Sequence, residues 1–449
     1  MRLTRGLLAA ATLLPLALTG CAPSSAGGSA DSGELRYWMW DANQMPAYQE
    51  CAKKFEKANP GITITFEQKG YKDYWTALTT AFVSGDAPDV FVNHLTKYGE
   101  YVRTGQIEPL DERVKRDKVD TGAYIPGLAE LWVGPDKKRY GLPKDWDTIA
   151  LFYNKEVAKK AGVTDKDLAE MAWNPQGGGT FEEIAAKLTV DKNGVRGDQP
   201  GFDPKNVKTY GFGYGDNGAD DSGQDQWSWM AAGNGWTYTD KNPWGTSYNY
   251  DDPEFVETIT YFRDLIAKGY APPLKVATGG VKPPEQFGAG NYAMSPDGDW
   301  AISTFDEMSG VDAGIAPLPA GPTGKRASMF NGLADSIWSG SKKKDAAWKW
   351  VTYLAGAECQ KTVGSHGVVF PALPEATEVA EKAFAERGID VAPFTRHVDD
   401  GTTFQPPITD KASDITSVLS PALDRILMGQ GDPAEELKAA NDKINGLLE

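Results

Sequence analysis

The sequence predicts a protein of the α/β class with two lobes, and three observations support this prediction. Its 449 residues exceed what one ordinary hydrophobic core organises, so two domains are expected. Short apolar runs alternate along the chain with longer segments of helical period, which is typical of sheets covered by helices. Hydrophobic residues make up 41% of the chain and charged residues 24%, a balance typical of a folded globular protein rather than a disordered one.

The first residues have the layout of an export signal. A short basic stretch, 1–5, precedes an uncharged apolar run that ends in Leu18-Thr-Gly-Cys21. This ending resembles the lipobox of bacterial lipoproteins, and the resemblance implies cleavage before Cys21 and lipidation of its sulfur. We therefore predict a lipoprotein signal peptide over residues 1–20 and, from its Ser, Gly and Ala content, a flexible tether over residues 21–34. An ordinary cleaved signal with a chance cysteine is the alternative.

The first part of the mature chain alternates strands with helices. Tyr48, Cys51, Ala52 and Phe55 follow the spacing i, i+3, i+4, i+7, which predicts a helix. The elements around this helix are a strand at 35–40, a strand at 62–66, a helix at 74–83 and a strand at 89–92. This order favours a largely parallel sheet with helices on its faces. Ligands of such sheets bind beyond the carboxyl ends of the strands, so the residues that follow each strand are the first candidates for a site.

The rest of the chain contains a second group of elements, which predicts the second lobe and the helices that pack on it. The predicted elements are a strand at 148–153, an amphipathic helix at 255–266, a Pro- and Gly-rich strand region at 313–322, and helices at 347–354 and 415–426. Gly269 follows the helix at 255–266 and is expected to end it.

Charge and histidine content exclude several classes of function. Lys and Arg total 46 against 62 for Asp and Glu, a net charge of −16 that is opposite to what nucleic acid binding requires. The three histidines, His94, His366 and His397, have no metal-ligand spacing, and we expect them to be exposed or to act as caps. No G-x-S-x-G or comparable nucleophile motif occurs, so the chain is not predicted to be an enzyme, and no metal or cofactor is expected.

One glycine-rich segment matches a nucleotide-binding pattern by spacing alone. Gly213-Tyr-Gly-Asp-Asn-Gly218 has the G-x-G-x-x-G spacing, but polar residues follow it where a helix is needed. We interpret it as a turn-rich loop. The acidic residues around it lack the EF-hand spacing, so a solvated loop is favoured over a calcium site; they are Asp216, Asp220, Asp221 and Asp225.

Two cysteines remain once Cys21 is assigned to the lipid. Cys51 and Cys359 are 308 positions apart, and the sequence does not show whether they pair. An exported location permits a disulfide. The interpretation favoured at this point is two buried free thiols.

Tryptophans lie among polar loop residues at several places in the chain. A pyranose ring presents an apolar face and a rim of hydroxyl groups, so its site needs flat aromatic surfaces beside amide and carboxylate groups. Trp38 lies inside a strand and is expected in the core, whereas Trp300 follows a Gly-Asp turn and is expected in the site. The remaining clusters are Trp40 with Asp41, Asn43 and Gln44; Trp146 with Asp147; Gln226 with Trp227 and Trp229; and Trp236.

Five segments in a fixed order carry a family resemblance. They are Phe55-Glu-Lys-Ala-Asn-Pro-Gly61; Gly85-Asp-Ala-Pro-Asp-Val90; Tyr140-Gly-Leu-Pro143 followed by Leu151-Phe-Tyr-Asn-Lys155; Phe287-Gly-Ala-Gly-Asn-Tyr-Ala-Met294 leading to Gly298-Asp-Trp300; and Ala316-Pro-Leu-Pro-Ala-Gly-Pro322. In this order, behind a lipobox, they resemble the extracellular solute-binding proteins (family 1) of carbohydrate ABC importers, the maltose-binding-protein-like lipoproteins. The resemblance covers residues 35–449.

The resemblance implies the two-lobe periplasmic-binding-protein fold, with hinge crossings and a ligand cleft between the lobes. Mapped onto this chain, it implies an N-terminal lobe of residues 35–144 plus 312–367 and a C-terminal lobe of residues 145–311 plus 368–449. Asn93 stands where maltodextrin-binding members have an aromatic residue, and the segment 405–415 lacks their late tryptophan. A sugar other than a long maltodextrin is therefore expected.

The aromatic pattern and the resemblance together imply a set of ligand-binding residues. The candidates are Trp40, Asp41, Asn43, Gln44, Tyr71, Asn93, Thr96, Lys97, Trp146, Asp147, Gln226, Trp227, Asp299, Trp300, Asn331 and Gly332.

The function implied is that of a monomeric, lipid-anchored protein on the outer face of the cell membrane. It binds a mono- or oligosaccharide by hinge closure and delivers it to the permease subunits and ATPase of an ABC importer. Two alternatives display the same residue types: a secreted glycoside hydrolase, which needs two carboxyl groups across one sugar, and a carbohydrate-binding surface receptor. Within the binding proteins, a peptide or polyamine ligand is a further alternative.

Overall fold

The structure is a computed structural model that describes residues 33–215 and 222–449. The predicted signal peptide, Cys21 and the tether up to residue 32 lie outside the described residues, as do Asp216, Asp220 and Asp221. Within the two described ranges, none of the helices combines the length and apolar character needed to cross a membrane.

Fourteen strands and eighteen α-helices lie in the described ranges. The strands are β1 (Gly33–Met39), β2 (Ile62–Gln68), β3 (Val90–His94), β4 (Leu142–Pro143), β5 (Asp145–Trp146), β6 (Ile149–Asn154), β7 (Val190–Asp191), β8 (Val207–Thr209), β9 (Met294–Gly298), β10 (Ala313–Ala316), β11 (Ser328–Met329), β12 (Leu333–Ile337), β13 (Phe370–Pro371) and β14 (Thr403–Phe404). The helices are α1 (Met45–Ala58), α2 (Tyr71–Ser84), α3 (Leu95–Arg103), α4 (Asp111–Asp117), α5 (Lys155–Ala161), α6 (Asp165–Ala169), α7 (Gly179–Leu188), α8 (Ser228–Gly233), α9 (Pro253–Ala267), α10 (Leu274–Ala277), α11 (Pro283–Gly288), α12 (Ile302–Asp306), α13 (Lys344–Leu354), α14 (Ala357–His366), α15 (Pro374–Glu386), α16 (Ala392–Asp399), α17 (Ala412–Leu427) and α18 (Pro433–Leu448).

The first sheet has five strands in the order β2-β1-β3-β12-β4. β1 pairs in parallel with β2 and β3, as the alternation of strands and helices predicts. β12 runs antiparallel to both β3 and β4, so the sheet is mixed. β12 enters from a distant part of the chain, and its direction is therefore not set by a local crossover helix.

The second sheet has three strands in the order β10-β6-β9, and both pairings are antiparallel. The prediction of a largely parallel sheet is therefore wrong here. The first five residues of β6, Ile149 to Tyr153, are buried on both faces, and an apolar run of this kind does not specify the direction of its neighbours.

Helix periodicity in the sequence corresponds closely to the observed helices. In α1, the buried residues are Ala47 together with the predicted Tyr48, Cys51, Ala52 and Phe55. α9 ends at Ala267, and Gly269 follows with φ of 75°, a left-handed conformation that glycine adopts without strain. The prediction that Gly269 stops this helix is confirmed.

The described residues form two hydrophobic cores. The first includes Leu35, Tyr37 and Val90 of the five-stranded sheet and also one face of β6, at Ala150 and Phe152, whereas the second includes the other face of β6, at Ile149 and Leu151. Trp38 is 5% exposed and belongs to the first core, as predicted. Trp300 packs against both cores, which places it at their junction.

Cys51 and Cys359 form a disulfide bond, so the expectation of two free thiols is wrong. Cys51 lies on α1 and Cys359 on α14, two helices that pack together with the two Cα atoms 5.3 Å apart. The separation of 308 residues along the chain carried no information about this distance.

We expect removal of the disulfide to destabilise the protein. The bond closes a loop of more than 300 residues and so restricts the unfolded chain. The double variant Cys51→Ser, Cys359→Ser should lose about 2–4 kcal/mol of unfolding free energy in urea titrations. A double variant as stable as the disulfide-bonded wild type would contradict this expectation. Reduction of the wild-type disulfide should lower the free energy of unfolding by a similar amount.

Candidate ligand-binding site between the two sheets

Several candidate residues meet at one edge of the first sheet. β1 ends at Met39 and is followed by Trp40, and β3 ends at His94. Because β12 is antiparallel to β3, its first residue, Leu333, pairs with His94. Asn331 therefore approaches the same edge from the opposite direction.

An equivalent edge of the second sheet supplies the other residues. Gly298 at the end of β9 pairs with Ile149 at the start of β6. Asp299 follows Gly298 directly, and Asp147 lies two residues before Ile149. Both carboxyl groups therefore lie at the same edge of the second sheet. Their backbone positions are consequences of strand pairing.

A backbone bridge joins the two edges. The Asp147 amide donates to the Asn331 carbonyl at 2.9 Å, and the Asn331 amide donates to the Asp147 carbonyl at 3.2 Å. The side chains are also in contact, since Asn331 Nδ2 lies 3.1 Å from Asp147 Oδ2. On its other oxygen, Asp147 accepts a hydrogen bond from Gln224 Nε2 at 2.7 Å.

His94 extends this network into the first sheet. Its Nε2 atom lies 2.9 Å from Asn331 Nδ2. Its Nδ1 atom accepts from the Thr96 backbone N–H at 3.2 Å and lies 2.8 Å from Thr96 Oγ1, so His94 caps the start of α3. His94 is therefore the N-cap of α3. Exposure was expected for histidines outside caps, and this is wrong for His397, which is fully buried.

Aromatic rings surround His94 on one side. Trp40 lies 5.4 Å from Tyr71 and 5.2 Å from Trp75, measured between ring centroids, and the Tyr71 and Trp75 rings are 5.7 Å apart. All three rings are within 6.5 Å of the His94 ring. Trp40 and Tyr71 are only partly buried and have ring surface left for a ligand.

The loop after β1 is held by hydrogen bonds of its own and contacts α12. Asp41 Oδ1 accepts from the Asn43 backbone N–H at 2.8 Å, and Asp41 Oδ2 accepts from Gln44 Nε2 at 2.8 Å. Asn43 Nδ2 then donates to Thr304 Oγ1 on α12 at 2.9 Å. This hydrogen bond connects the loop after β1 with the helix that follows β9. Burial raises the pKa of the Asp41 carboxyl above its ordinary value.

Carboxyl groups crowd the interior of the site. Asp299 is fully buried; its Oδ2 accepts from the Phe370 backbone N–H at 3.3 Å, and its Oδ1 has no hydrogen-bond partner among the described residues. Burial, and then repulsion from Asp147 and Asp145, hold the pKa of Asp299 well above its ordinary value. Burial and Asp145 raise the pKa of Asp147 in the same direction, against the hydrogen bonds from Asn331 and Gln224. Burial and mutual repulsion therefore make ionisation of both carboxyl groups less favourable than it is in water.

Trp300 follows Asp299 directly, just beyond the end of β9. A Cβ atom on Gly298 would lie 2.0 Å from the indole ring, so only glycine allows this ring position. The Trp300 side chain hydrogen-bonds to Asp297, whose pKa burial raises to about 7. The ring is partly buried, and its place in the ligand site stays a prediction.

Two predicted tryptophans lie in the interior instead. Trp146 is 2% exposed, stacks on Phe370 at 4.8 Å and donates from Nε1 to Thr377. Trp227 is 1% exposed and packs against Phe255 at 5.0 Å within the second core. The structure does not bring either ring to the strand-end cluster, and both have a packing role.

The other candidates surround the cluster in supporting positions. Asn93 is buried in the sheet and donates to Ser336, and Gln226 donates to the Gly215 carbonyl. Thr96 lies next to the His94 ring, and Lys97 Nζ is 6.0 Å from the centroid of Trp75. A Cβ atom on Gly332 would lie 2.5 Å from Leu128 Cδ1, so Gly332 permits close packing beside Asn331.

Sequence reasoning missed three residues of this site: His94, Gln224 and Trp75. His94 follows directly after the candidate Asn93 at the end of a strand, and the strand-end rule could have included it. Gln224 lies two residues before the candidate Gln226. Trp75 looks like an ordinary core residue of α2, and its packing against His94 has no signal in the sequence.

A cavity of about 640 Å³ lies outside this cluster. Its lining includes Trp236, Tyr238, Phe330 and Phe404, and it approaches the site only at Phe330, the residue before Asn331. Trp236 and Tyr238 are each 4% exposed. In the described part of the chain, no group of three or more His, Cys, Asp or Glu side chains is arranged to hold a metal ion.

Comparison with known proteins identifies the family. The family model of the bacterial extracellular solute-binding proteins matches residues 41–361, more than half of the chain. The chain belongs to this family. Its members bind solutes and are not enzymes, which confirms the prediction of a binding protein.

Individual relatives cover most of the chain. A maltooligosaccharide ABC transporter solute-binding lipoprotein of Streptococcus pneumoniae is 26% identical over 83% of this chain and 81% of its own length. The crystal structure of UspC from M. tuberculosis is 25% identical with a TM-score of 0.69, covering 92% of this chain and 100% of that chain. An ABC substrate-binding protein of Listeria monocytogenes, solved in complex with cycloalternan, has 23% identity and a TM-score of 0.78, covering 93% and 99%. These similarities confirm the predicted two-lobe α/β fold.

Proposed function

We propose that this protein binds a mono- or oligosaccharide in the cleft between its lobes and delivers it to the permease of an ABC importer. The observation that carries the proposal is the contact network that joins Trp40 and Tyr71, through His94, to Asn331, Asp147 and Gln224. Trp300, two residues after the end of β9, is proposed as a further aromatic surface of this site. Aromatic faces suit the C–H surface of a pyranose, and amide and carboxyl groups suit its hydroxyl groups.

Hinge closure is the proposed mechanism of capture. In the lobe division predicted from the sequence, Asn43 and Thr304 belong to different lobes, so we expect their hydrogen bond to form only when the lobes are close. A ligand that contacts both lobes favours the closed state by its difference in affinity for the two states. Moving the closed population from 1% to 99% needs about 5.5 kcal/mol, which a few stacking contacts and enclosed hydrogen bonds supply.

Relatives support a carbohydrate as the ligand class. The S. pneumoniae relative is named for maltooligosaccharide, and the L. monocytogenes structure contains cycloalternan. The departures at Asn93 and in the segment 405–415 favour a sugar other than a long maltodextrin for this chain. All sixteen candidate residues remain proposals for ligand contact, with Trp146 and Trp227 the least supported because of their burial.

A thermal-shift screen against mono- and oligosaccharides tests the ligand class. A ligand that binds only the folded protein at about 100 times its dissociation constant adds about 2.7 kcal/mol of stability and raises the melting temperature by several degrees. The proposal expects such a shift with a sugar and none with amino acids, peptides or polyamines. A shift with one of these other ligands and with no sugar would overturn it. Incubation with the bound sugar should release no product, whereas a hydrolase would release one.

We further propose that the protein is a lipoprotein held at the outer face of the cell membrane through Cys21. The lipobox sequence Leu18-Thr-Gly-Cys21 and the naming of the S. pneumoniae relative as a lipoprotein support this location. The Ser-, Gly- and Ala-rich stretch that follows has the composition of a flexible tether.

Cys21→Ser should release the protein from the membrane. Loss of the acyl chains removes the hydrophobic anchor, so we expect the membrane-bound fraction to fall by about tenfold or more, with the protein recovered in the surrounding medium. Fractionation and immunoblotting measure this directly, and Ser24→Ala in the tether is the matched control. Equal membrane retention of Cys21→Ser would contradict the anchor.

A further inference from the structure

Two segments of the chain leave the second hydrophobic core, contact the first and return. Tyr238 and Tyr248 lie in the second core, whereas Trp244 between them packs against the first. In the same way, Ile408 is 1% exposed within the first core, and Ile415, seven residues later, lies in the second. Each segment therefore connects the two cores through one apolar side chain.

Hydrogen bonds join these two segments to each other. Asn242 Oδ1 accepts from the Ile408 backbone N–H at 3.0 Å, and the Trp244 backbone N–H donates to the Ile408 carbonyl at 2.9 Å. Trp244 and Ile408 are therefore held side by side and contact the first core as one unit. We call this unit, residues 242–244 and 406–410, the latch.

The latch contacts helix α3 and Val133. The Trp244 ring lies 5.7 Å from the Tyr98 ring, measured between centroids, and Trp244 Nε1 donates to the Val133 carbonyl at 3.3 Å. Beside this apolar contact, Arg103 Nε donates to the Asp410 carbonyl at 2.9 Å. In the lobe division predicted from the sequence, α3 and Val133 belong to the N-terminal lobe and the latch belongs to the C-terminal lobe.

This contact requires a glycine on α3. A Cβ atom on Gly99 would lie 2.2 Å from the Thr409 carbonyl oxygen and 2.9 Å from the Trp244 ring. Gly99 lies in the middle of α3, where glycine is less favourable for helix stability than alanine. Gly99 therefore weakens its own helix and in return permits the close approach of the latch.

The latch also contains a residue with a strained backbone. Trp244 has φ of 63°, in the left-handed region that bulky side chains rarely adopt. Such a conformation costs free energy and persists only where its surroundings hold it, and residues of this kind cluster at ligand clamps and switch regions. The hydrogen bonds of Trp244 with Ile408 and Val133 hold it here.

We propose that the latch docks on α3 when the lobes close and leaves it when they open, so that it stabilises the closed state without touching the ligand. The apolar surfaces of Trp244 and Ile408 leave water on docking, and this contribution adds to that of the ligand. The inference rests on the proposed hinge closure. It accounts for two locally unfavourable features, Gly99 within a helix and the left-handed Trp244, at one contact.

The latch acts on affinity through the closed population. The apparent dissociation constant of a ligand that binds the closed state is its intrinsic value divided by the closed fraction of the ligand-free protein. Loss of the latch lowers this fraction, so it weakens the binding of every sugar by the same factor. Loss of a residue that touches the ligand has a different effect on different sugars.

Gly99→Ala tests the latch by the signs of two effects. In the ligand-free protein with its lobes open, the added methyl group does not meet the latch and improves the helix, so the melting temperature should rise by about 1–4 °C. On closure, the same methyl group collides with the Thr409 carbonyl, so the affinity for the sugar with the largest thermal shift should fall about tenfold or more.

Gly446→Ala is the matched control for Gly99→Ala. Gly446 lies on α18, and a Cβ atom there would have no atom within 4 Å. This variant should raise the melting temperature and leave the affinity for the same sugar unchanged.

Trp244→Ala separates the latch from permanent packing. It should weaken binding of the same sugar about tenfold or more, at a nearly unchanged melting temperature of the ligand-free protein. Trp338 packs against the first core alone, and Trp338→Ala should have the opposite pattern of lower melting temperature and unchanged affinity.

Two results would overturn the proposal. A melting temperature of ligand-free Gly99→Ala below that of the wild type would show that the latch is permanently docked on α3. Wild-type affinity in Gly99→Ala or in Trp244→Ala would show that the contact does not act on closure. Failure to find a binding sugar counts against the proposed function, and the melting temperatures of the ligand-free variants still test the latch.

Discussion

Lys144→Ala should lower the free energy of unfolding by about 3–5 kcal/mol, because it removes one partner of a buried ion pair. The Lys144 side chain is 1% exposed, and its Nζ atom lies 3.9 Å from Asp335 Oδ1 and 3.2 Å from the Tyr37 hydroxyl. The same ammonium lies 3.8 Å from the ring centroid of Tyr48. Without it, Asp335 and the neighbouring Asp145 lose their closest cation in the interior. Urea titration of the purified variant measures the loss.

A partly exposed ion pair of the same lobe provides the control for Lys144→Ala. Lys343 Nζ lies 3.3 Å from Asp89 Oδ2, with 36% of the lysine side chain exposed. Lys343→Ala should therefore cost less than about 1 kcal/mol. If Lys144→Ala lowers the free energy of unfolding no more than Lys343→Ala does, the buried Lys144–Asp335 ion pair does not stabilise the fold as expected.

The loss in Lys144→Ala should also depend on pH. Burial raises the pKa of Asp335, and Lys144 opposes that rise. Without the lysine, the Asp335 carboxyl binds its proton more tightly in the folded state than in the unfolded state. The free energy of unfolding therefore falls as the pH rises above the pKa of an aspartate in the unfolded chain. We expect the difference from wild type to be smaller at about pH 4.5 than at pH 7.5.

Trp300→Ala should weaken sugar binding by about 30- to 150-fold, or about 2–3 kcal/mol, since aromatic residues at the centre of a site carry much of its affinity. The indole packs against both cores and is held over Gly298, so its position is fixed before a ligand arrives. Calorimetric titration with the sugar that gives the largest thermal shift measures the effect.

Trp338→Ala is the matched control for Trp300→Ala. Trp338 is also partly buried, but it follows the last residue of β12, at the opposite edge of the sheet from His94. Its removal should cost stability and leave the affinity for sugar close to that of the wild type. If Trp300→Ala binds the sugar within about threefold of the wild-type affinity, Trp300 is not part of the sugar-binding site.

Much of the fold could be read from the sequence because local periodicity determines each helix and strand. The spacing of Tyr48, Cys51 and Phe55 corresponds to the buried face of α1, and the strand-end rule leads directly to Trp40. The antiparallel pairing of β6 with β9 and β10 could not be read in this way. Strand direction depends on where distant segments return, and period-two alternation is the same for both directions.

The site was harder to predict because burial is a property of the whole fold. Trp146 and Trp227 have the same polar sequence neighbours as Trp300, yet each fills an interior position against phenylalanine rings. The Cys51–Cys359 bond depends on the packing of α1 against α14, which no local pattern encodes. His94 was expected only as an exposed or capped residue. Its contact with Asn331 through Nε2, beside Asp147, was not predicted.

Small-angle X-ray scattering with and without ligand tests most directly whether the two lobes close on a sugar. Saturating sugar should reduce the radius of gyration of the wild type. At the same sugar concentration, Trp300→Ala should keep the larger value of the free protein. A sugar that calorimetry shows to be tightly bound, but that leaves the radius of gyration of the wild type unchanged, would contradict capture by closure.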